Sequence, residues 1–158
     1  MTRLASILAP SCILLDVGRG TRRDVLARIA AAVAGCRSDL DEDALLDELL
    51  RREEASSTAI ADGIAIPHAR PGHGTVATAC LARSPQGVDF DSLDGKPTQL
   101  LLALVSPADD SALHVRWLAH VARILGDAPT RARLLAATSR EEVLRILEER
   151  EHAAGIDS

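Results

Sequence analysis

The sequence predicts an α/β fold, with helices for both faces of a central sheet. Three observations carry that expectation. Residues 98–105, Thr-Gln-Leu-Leu-Leu-Ala-Leu-Val, form a nearly unbroken apolar run of strand length, the pattern of a strand covered on both faces. Segments with helical spacing and capping signals stand before and after it, so helices are available on either side. The 158 residues, 47% hydrophobic and 26% charged, suffice for one domain whose core needs no staple.

The elements follow in order. Residues 12–17 are mostly apolar and closed by Gly18 and Gly20, so they read as a strand. Thr21 then stands as an N-cap before Val25, Leu26, Ile29 and Val33, with Gly35 beyond. A second helix is expected from near Asp41 to about Glu54, carrying Leu45, Leu46, Leu49 and Leu50. Ile64-Ala65-Ile66 is a short strand ending at Pro67. Residues 76–81 and 88–90 read as two further strands, and Asp94-Gly95 as a turn before the strand at 98–105. Ser106-Pro107 resembles a helix start with proline in the first helical position. Leu113–Leu125 has helical periodicity stopped by Gly126, a short helix is expected over 131–136, and Ser139-Arg-Glu-Glu142 opens a final helix to about Arg150.

Composition excludes some functions. With 18 basic and 23 acidic residues the net charge is −5, which disfavours nucleic acid as a partner. Phe90 and Trp117 are the only aromatics, too few for base stacking. Cys12, Cys36 and Cys80 are scattered and form no CxxC pair, so reduced thiols in a cytoplasmic protein are expected. Neither a signal peptide nor a run of ~20 apolar residues is present.

Candidate chemistry rests on five histidines: His68, His73, His114, His120 and His152. His152 lies in a polar C-terminal stretch and His73 in a Pro-Gly-His-Gly turn; both read as bland. His68 directly follows Pro67, which cannot donate to a sheet ladder. It is therefore held on a stiff element at a strand end, where either a surface role or a reactive one is open. At about 100° per residue, His114 shares an arc of ~60° with Leu118, Val121 and Leu125, opposite Arg116 and Arg123. Taken alone, His114 is a satisfied core histidine; paired with His68 at one end of the sheet, it becomes a site candidate. His120, at the margin of that face, reads as a packing residue.

Two histidines serve three schemes. A metal site needs three or four ligands, and His68-x4-His73 alone is not one. No nucleophile elbow, P-loop or dinucleotide fingerprint occurs. The third scheme is a histidine nucleophile that carries a phosphoryl group, surrounded by cationic and hydrogen-bonding groups and needing neither metal nor cofactor.

The segment from Arg52-Glu53-Glu54-Ala55-Ser56-Ser57-Thr58 through Asp62-Gly63-Ile64-Ala65-Ile66-Pro67-His68-Ala69-Arg70 resembles the active-site segment of the fructose/mannitol-type (type 2) enzyme IIA proteins of bacterial phosphotransferase systems, most of all their nitrogen-regulatory, PtsN-like branch. Gly87–Pro97 and the stretch Leu113-His114 to Leu125 are similar to the family's later segments. The likeness covers residues 4–148, leaving 149–158 as a C-terminal tail. It implies a single-domain, three-layer α/β/α sandwich around a mixed β-sheet. It further implies that His68 becomes a tele-phosphohistidine, with His114 and Arg52 stabilising the phosphoryl group, and that neither cofactor nor metal is used. The implied donor is an HPr-like phosphocarrier charged from phosphoenolpyruvate by an enzyme I. The implied role is regulation of protein partners, a potassium transporter or a sensor kinase among them, by phosphorylation state, since no IIB or membrane domain is attached. Transfer to a IIB cysteine in sugar transport, or a binding module never phosphorylated, are the alternatives. Ala61 and Asp62 stand where many members carry glycine and asparagine, and Asp62 is expected to add negative charge near His68.

Overall fold

A computed structural model of the chain describes residues 3–72 and 76–156. His73 lies outside them. Two 3-10 turns, Leu4–Ile7 and Pro10–Cys12, lead into β1 (Ile13–Leu14). Helices α1 (Arg22–Cys36) and α2 (Glu42–Ala55) follow, then the short strands β2 (Ile64–Ala65) and β3 (His68–Ala69). The long strands β4 (Thr78–Val88) and β5 (Thr98–Val105) precede α3 (Ser111–Leu125), α4 (Ala128–Ala136) and α5 (Arg140–Ala153).

The sheet is mixed. Its strands run β1-β4-β5-β2, with β3 also on β5. β4 and β5 are antiparallel, whereas β1 is parallel to β4 and both β2 and β3 are parallel to β5. α1 and α2 pack on each other and on β4 and β3; α3, α4 and α5 form a second group against β5. The result is three layers, with Leu100 to Val105 buried between the two helical groups as the apolar run requires. No helix among the described residues is long and apolar enough to cross a membrane.

The caps show why the helices start where they do. Thr21 accepts from Asp24 N and donates its own N–H to Asp24, a reciprocal box. Asp41 and Asp127 accept from Ala44 N and Thr130 N in the same way. Ser139 accepts from Glu142 N, but the Glu142 carboxylate turns to Thr138 N instead, so that box is half closed.

Several expectations are corrected. Only Ile13 and Leu14 of the run 12–17 pair in the sheet. The strands expected at 76–81 and 88–90 are one strand, β4, whose register shifts between Arg83 and Val88. Arg83 hid that continuity: it is buried, and its guanidinium donates to the carbonyls of Leu15, Leu134, Leu135 and Ala137, closing the C-terminus of α4. Gly87, at φ 85°, meets Pro97, whose Cβ is 2.6 Å from where a side chain would begin, so the bulge needs glycine. α3 starts at Ser111, not at Pro107, because Asp110 accepts from Leu113 N and takes the cap. α4 begins at Ala128, three residues earlier than expected, with Pro129 in its first turn. α5 runs to Ala153, three residues beyond the expected end near Arg150, because Glu151 is fully buried and accepts from Leu4 N and from His120 Nε2 at 2.7 Å. His120 is thus a packing residue with a buried partner, edge-on to Trp117 at 5.6 Å. Cys12, Cys36 and Cys80, scattered along the chain, converge in space.

Candidate active site

β2 and β3 lie end to end on the same edge of β5. Ile64 and Ala65 pair with Leu100 and Leu101; His68 and Ala69 pair with Leu104 and Val105. Pro67 interrupts the edge because it has no N–H, yet its carbonyl accepts from Leu104 N at 2.9 Å, so the chain stays clamped to the sheet. His68 therefore begins a strand segment at a fixed position beside β5. Ser106, one residue past β5, donates its N–H to Ala69 O at 3.1 Å and lies next to the end of β3.

Arg52 arrives from the last turn of α2, where a cation suits the negative helix end. The turn after it is held by Glu53, only 4% exposed, whose carboxylate accepts from Thr58 N at 2.9 Å and Thr58 Oγ1 at 2.7 Å. Arg52 Nη1 donates to Ser56 O at 2.7 Å, and its Nε donates to His68 Nε2 at 2.9 Å. The second nitrogen of His68, Nδ1, lies 2.9 Å from Ile66 O. A carbonyl only accepts, so Nδ1 carries the proton and Nε2 offers its lone pair. Burial is the main reason His68 titrates below its ordinary value, with the Arg52 charge adding to it against the Ile66 carbonyl. His68 is thus neutral at neutral pH.

His114 sits in the first turn of α3, 7% exposed, on the buried face with Trp117, Val121, Ile124 and Leu125. Its ring centroid is 5.2 Å from that of His68, tilted by 52°. Its Nδ1 is hydrogen-bonded to the buried Ser106 hydroxyl. Burial, then the neighbouring His68, Arg70 and Arg52, push His114 down to about 4. The structure therefore brings His68, His114 and Arg52 together.

These three residues line a pocket of about 340 Å³ with Glu48, Arg51, Ala69 and Arg70. Three guanidinium groups against one carboxylate make it a place for an anion. Sequence reading missed Arg70 and Ser106. Arg70 follows His68 by two on an extended segment, and that spacing alone places both on one side of the strand. Arg70 Nη2 donates to Ala108 O at 2.6 Å, while its buried Nε has no hydrogen-bond partner among the described residues. Asp62 belongs elsewhere. It sits at φ 55°, paired with Lys96 at 3.6 Å and Arg131 at 3.7 Å, near the β2 end of the edge and outside this pocket. Among the described residues no group of three or more His, Cys, Asp or Glu side chains is arranged to hold a metal ion. His152 is exposed in the last turn of α5 and is not among the residues that line the pocket.

Residues 6–150 match the family described as phosphoenolpyruvate-dependent sugar phosphotransferase system, EIIA 2. A nitrogen regulatory protein of Pseudomonas aeruginosa is 35% identical over 147 residues, covering 93% of this chain and 96% of that protein. A fructose-specific EIIA component of Haloferax volcanii is 39% identical over 150 residues, covering 94% and 97%. The crystal structure of the nitrogen regulatory protein IIA-Ntr from Neisseria meningitidis is similar with a TM-score of 0.84 at 30% identity, covering 90% of this chain and 97% of that one.

Proposed function

Because the chain belongs to the EIIA 2 family of the phosphoenolpyruvate-dependent sugar phosphotransferase system and is thereby a phosphotransferase, we propose that it takes a phosphoryl group onto Nε2 of His68 and acts as a nitrogen-regulatory enzyme IIA. The donor in this reading is a small HPr-like phosphocarrier charged from phosphoenolpyruvate by an enzyme I. Protein partners in the cytoplasm read the phosphorylated or unphosphorylated state. The observation that carries the reading is the 2.9 Å bond from Arg52 Nε to His68 Nε2 inside an arginine-lined pocket beside His114.

The chemistry follows from the protonation states. With its proton on Nδ1, His68 attacks phosphorus through Nε2; the N–P bond to the donor histidine breaks as the new one forms. Arg52 leaves the Nε2 lone pair and turns its donors to the phosphoryl oxygens, where charge persists through the transfer. Arg70 lines the same pocket and adds a second positive charge beside the phosphoryl oxygens. With the Ser106 hydroxyl donating to Nδ1, His114 keeps its proton on Nε2 and donates it to the phosphoryl group. The low basicity of His114 keeps it from competing for a proton. A phosphohistidine adds up to about two negative charges at this surface, enough to change which partner docks there.

Incubation with enzyme I, phosphocarrier and phosphoenolpyruvate should add the mass of one phosphoryl group, lost in acid and stable in base. His68→Ala should take up none; a variant that still labels removes the assignment. The 39% identity to a fructose-specific component favours sugar transport as a second reading. Rapid transfer from the charged protein to a IIB cysteine would decide for it, and absence of transfer for the regulatory role.

A further inference from the structure

On the opposite side of β4 from β5, the end of α1 meets the segment that enters β1. There Cys12 Sγ and Cys36 Sγ are 3.2 Å apart. Cys12 is fully buried, and Cys36, the last residue of α1, is exposed. Ser11 Oγ lies 2.8 Å from Cys36 Sγ, Cys12 Sγ donates to Ala32 O at 3.5 Å, and the buried Cys80, on β4, neighbours Cys12. Cys36 also stands in the wall of a groove of about 490 Å³, with Ile7, Leu8, Pro10, Arg37 and Val76. Nothing in the phosphoryl pocket uses these groups.

We propose that Cys12 and Cys36 form a modification site: a hydroperoxide reaching Cys36 along this groove oxidises it, and Cys12 closes a disulfide onto it. Three features support the assignment. A disulfide needs its sulfurs ~2.05 Å apart, so the pair closes by about 1 Å through side-chain rotation. Access is unequal, since Cys36 faces the groove and Cys12 does not. Cys12 is also the thiol that ionises first. The neighbouring Cys80 thiol brings it down to about 6 against the effect of burial, and the hydrogen bond with Cys36 adds to that. The Ser11 hydroxyl pulls Cys36 down, but burial and the Cys12 charge leave it above its ordinary value.

The steps balance. Cys36 sulfur attacks the outer oxygen of the hydroperoxide and passes its proton to the Cys12 thiolate. The S–O bond forms, the O–O bond breaks, and the departing alkoxide or hydroxide takes a proton from water. Cys36 is now a sulfenic acid, oxidised by two electrons as the peroxide is reduced. Cys12 sulfur then attacks Cys36 sulfur. The S–S bond forms, the S–O bond breaks, and hydroxide leaves with the Cys12 proton as water.

The test is hydrogen peroxide on the whole protein, followed by alkylation of remaining thiols and peptide mass spectrometry. The expected product is one Cys12–Cys36 cross-link that dithiothreitol reverses, with Cys80 alkylated. Cys12→Ser should halt at a sulfenic acid on Cys36, trapped by dimedone. Cys36→Ser, a surface change checked by its melting curve, should leave Cys12 and Cys80 reduced. The proposal is overturned by three alkylated thiols after peroxide, by a Cys12–Cys80 cross-link, by sulfinic acid on Cys36 of the native protein without a cross-link, or by oxidation that persists in Cys36→Ser.

Discussion

Arg52 Nε donates to His68 Nε2 across 2.9 Å, so the guanidinium rests on the one imidazole nitrogen that has a free lone pair. The contact orients the ring and lowers its basicity. In the proposed transfer it is given up when that lone pair makes a bond, which leaves the arginine beside the incoming group.

Arg52→Ala should fold and still be charged at His68, at a rate lower by ~10²–10³-fold, the usual loss for one preorganised donor to a charged group. Rapid-quench labelling measures it. In the same variant the His68 pKa, followed by NMR, should rise but stay below ~6.5, because burial rather than the Arg52 charge is the main cause of its depression. An unchanged charging rate would make Arg52 a structural residue at the end of α2.

His114→Ala should leave His68 chargeable but slow the transfer by ~10²-fold or more, and His114→Gln should recover part of the rate through its amide N–H. If His114 only fills the core, both variants would instead lose ~1–3 kcal/mol of stability with transfer at full speed in the folded fraction. Melting curves and single-turnover rates on the same two proteins separate these outcomes.

Ser106→Ala removes the partner of His114 Nδ1 without touching the pocket wall. It should cost about 1 kcal/mol of stability and slow charging by roughly tenfold, the worth of one hydrogen bond. Its signature is spectroscopic: the ring nitrogen shifts of His114 should move toward a mixture of tautomers. Ser106→Thr, which keeps the hydroxyl, should restore the single tautomer.

Stability should depend on pH through His114. Its folded-state value of about 4 lies below the ~6.5 of an unfolded histidine, so between these values the unfolded chain binds more protons. The contribution is complete above ~6.5 and is lost as the pH falls toward 4. Denaturant midpoints should therefore drop across that window, and His114→Gln should flatten part of the slope. His68, also depressed, acts in the same direction.

What could be read from the chain was the local part. The run at 98–105 announced a buried central strand, Pro67 announced the break before His68, and the spacing of His114 with Val121 and Leu125 placed it on an inward face. What could not be read depended on partners far along the chain. Arg83 looks like the end of a strand until carbonyls some fifty residues later take up its protons. Glu151 looks like part of a solvated tail until Leu4 and His120 are seen to need it. Ser106 reaches the site only because β3 pairs parallel to β5, which brings the end of one strand beside the end of the other. Arg70 is the exception, since its two-residue spacing from His68 is visible in the chain.

The edge that carries His68 is a poor template for another chain. Along β2 the outward backbone is already engaged: Ile60 N donates to Ile64 O, Ile66 N donates to Thr58 O, and Ala59 bridges to Ala65. Ile66 O takes the His68 ring, and Pro67 has no N–H to offer. A strand from a neighbouring molecule would find no row of donors and acceptors to join, so the exposed side of the sheet resists fibre-like growth. Under the proposed function, a partner docking at His68 is then held by side-chain shape and charge, contacts that form and release quickly.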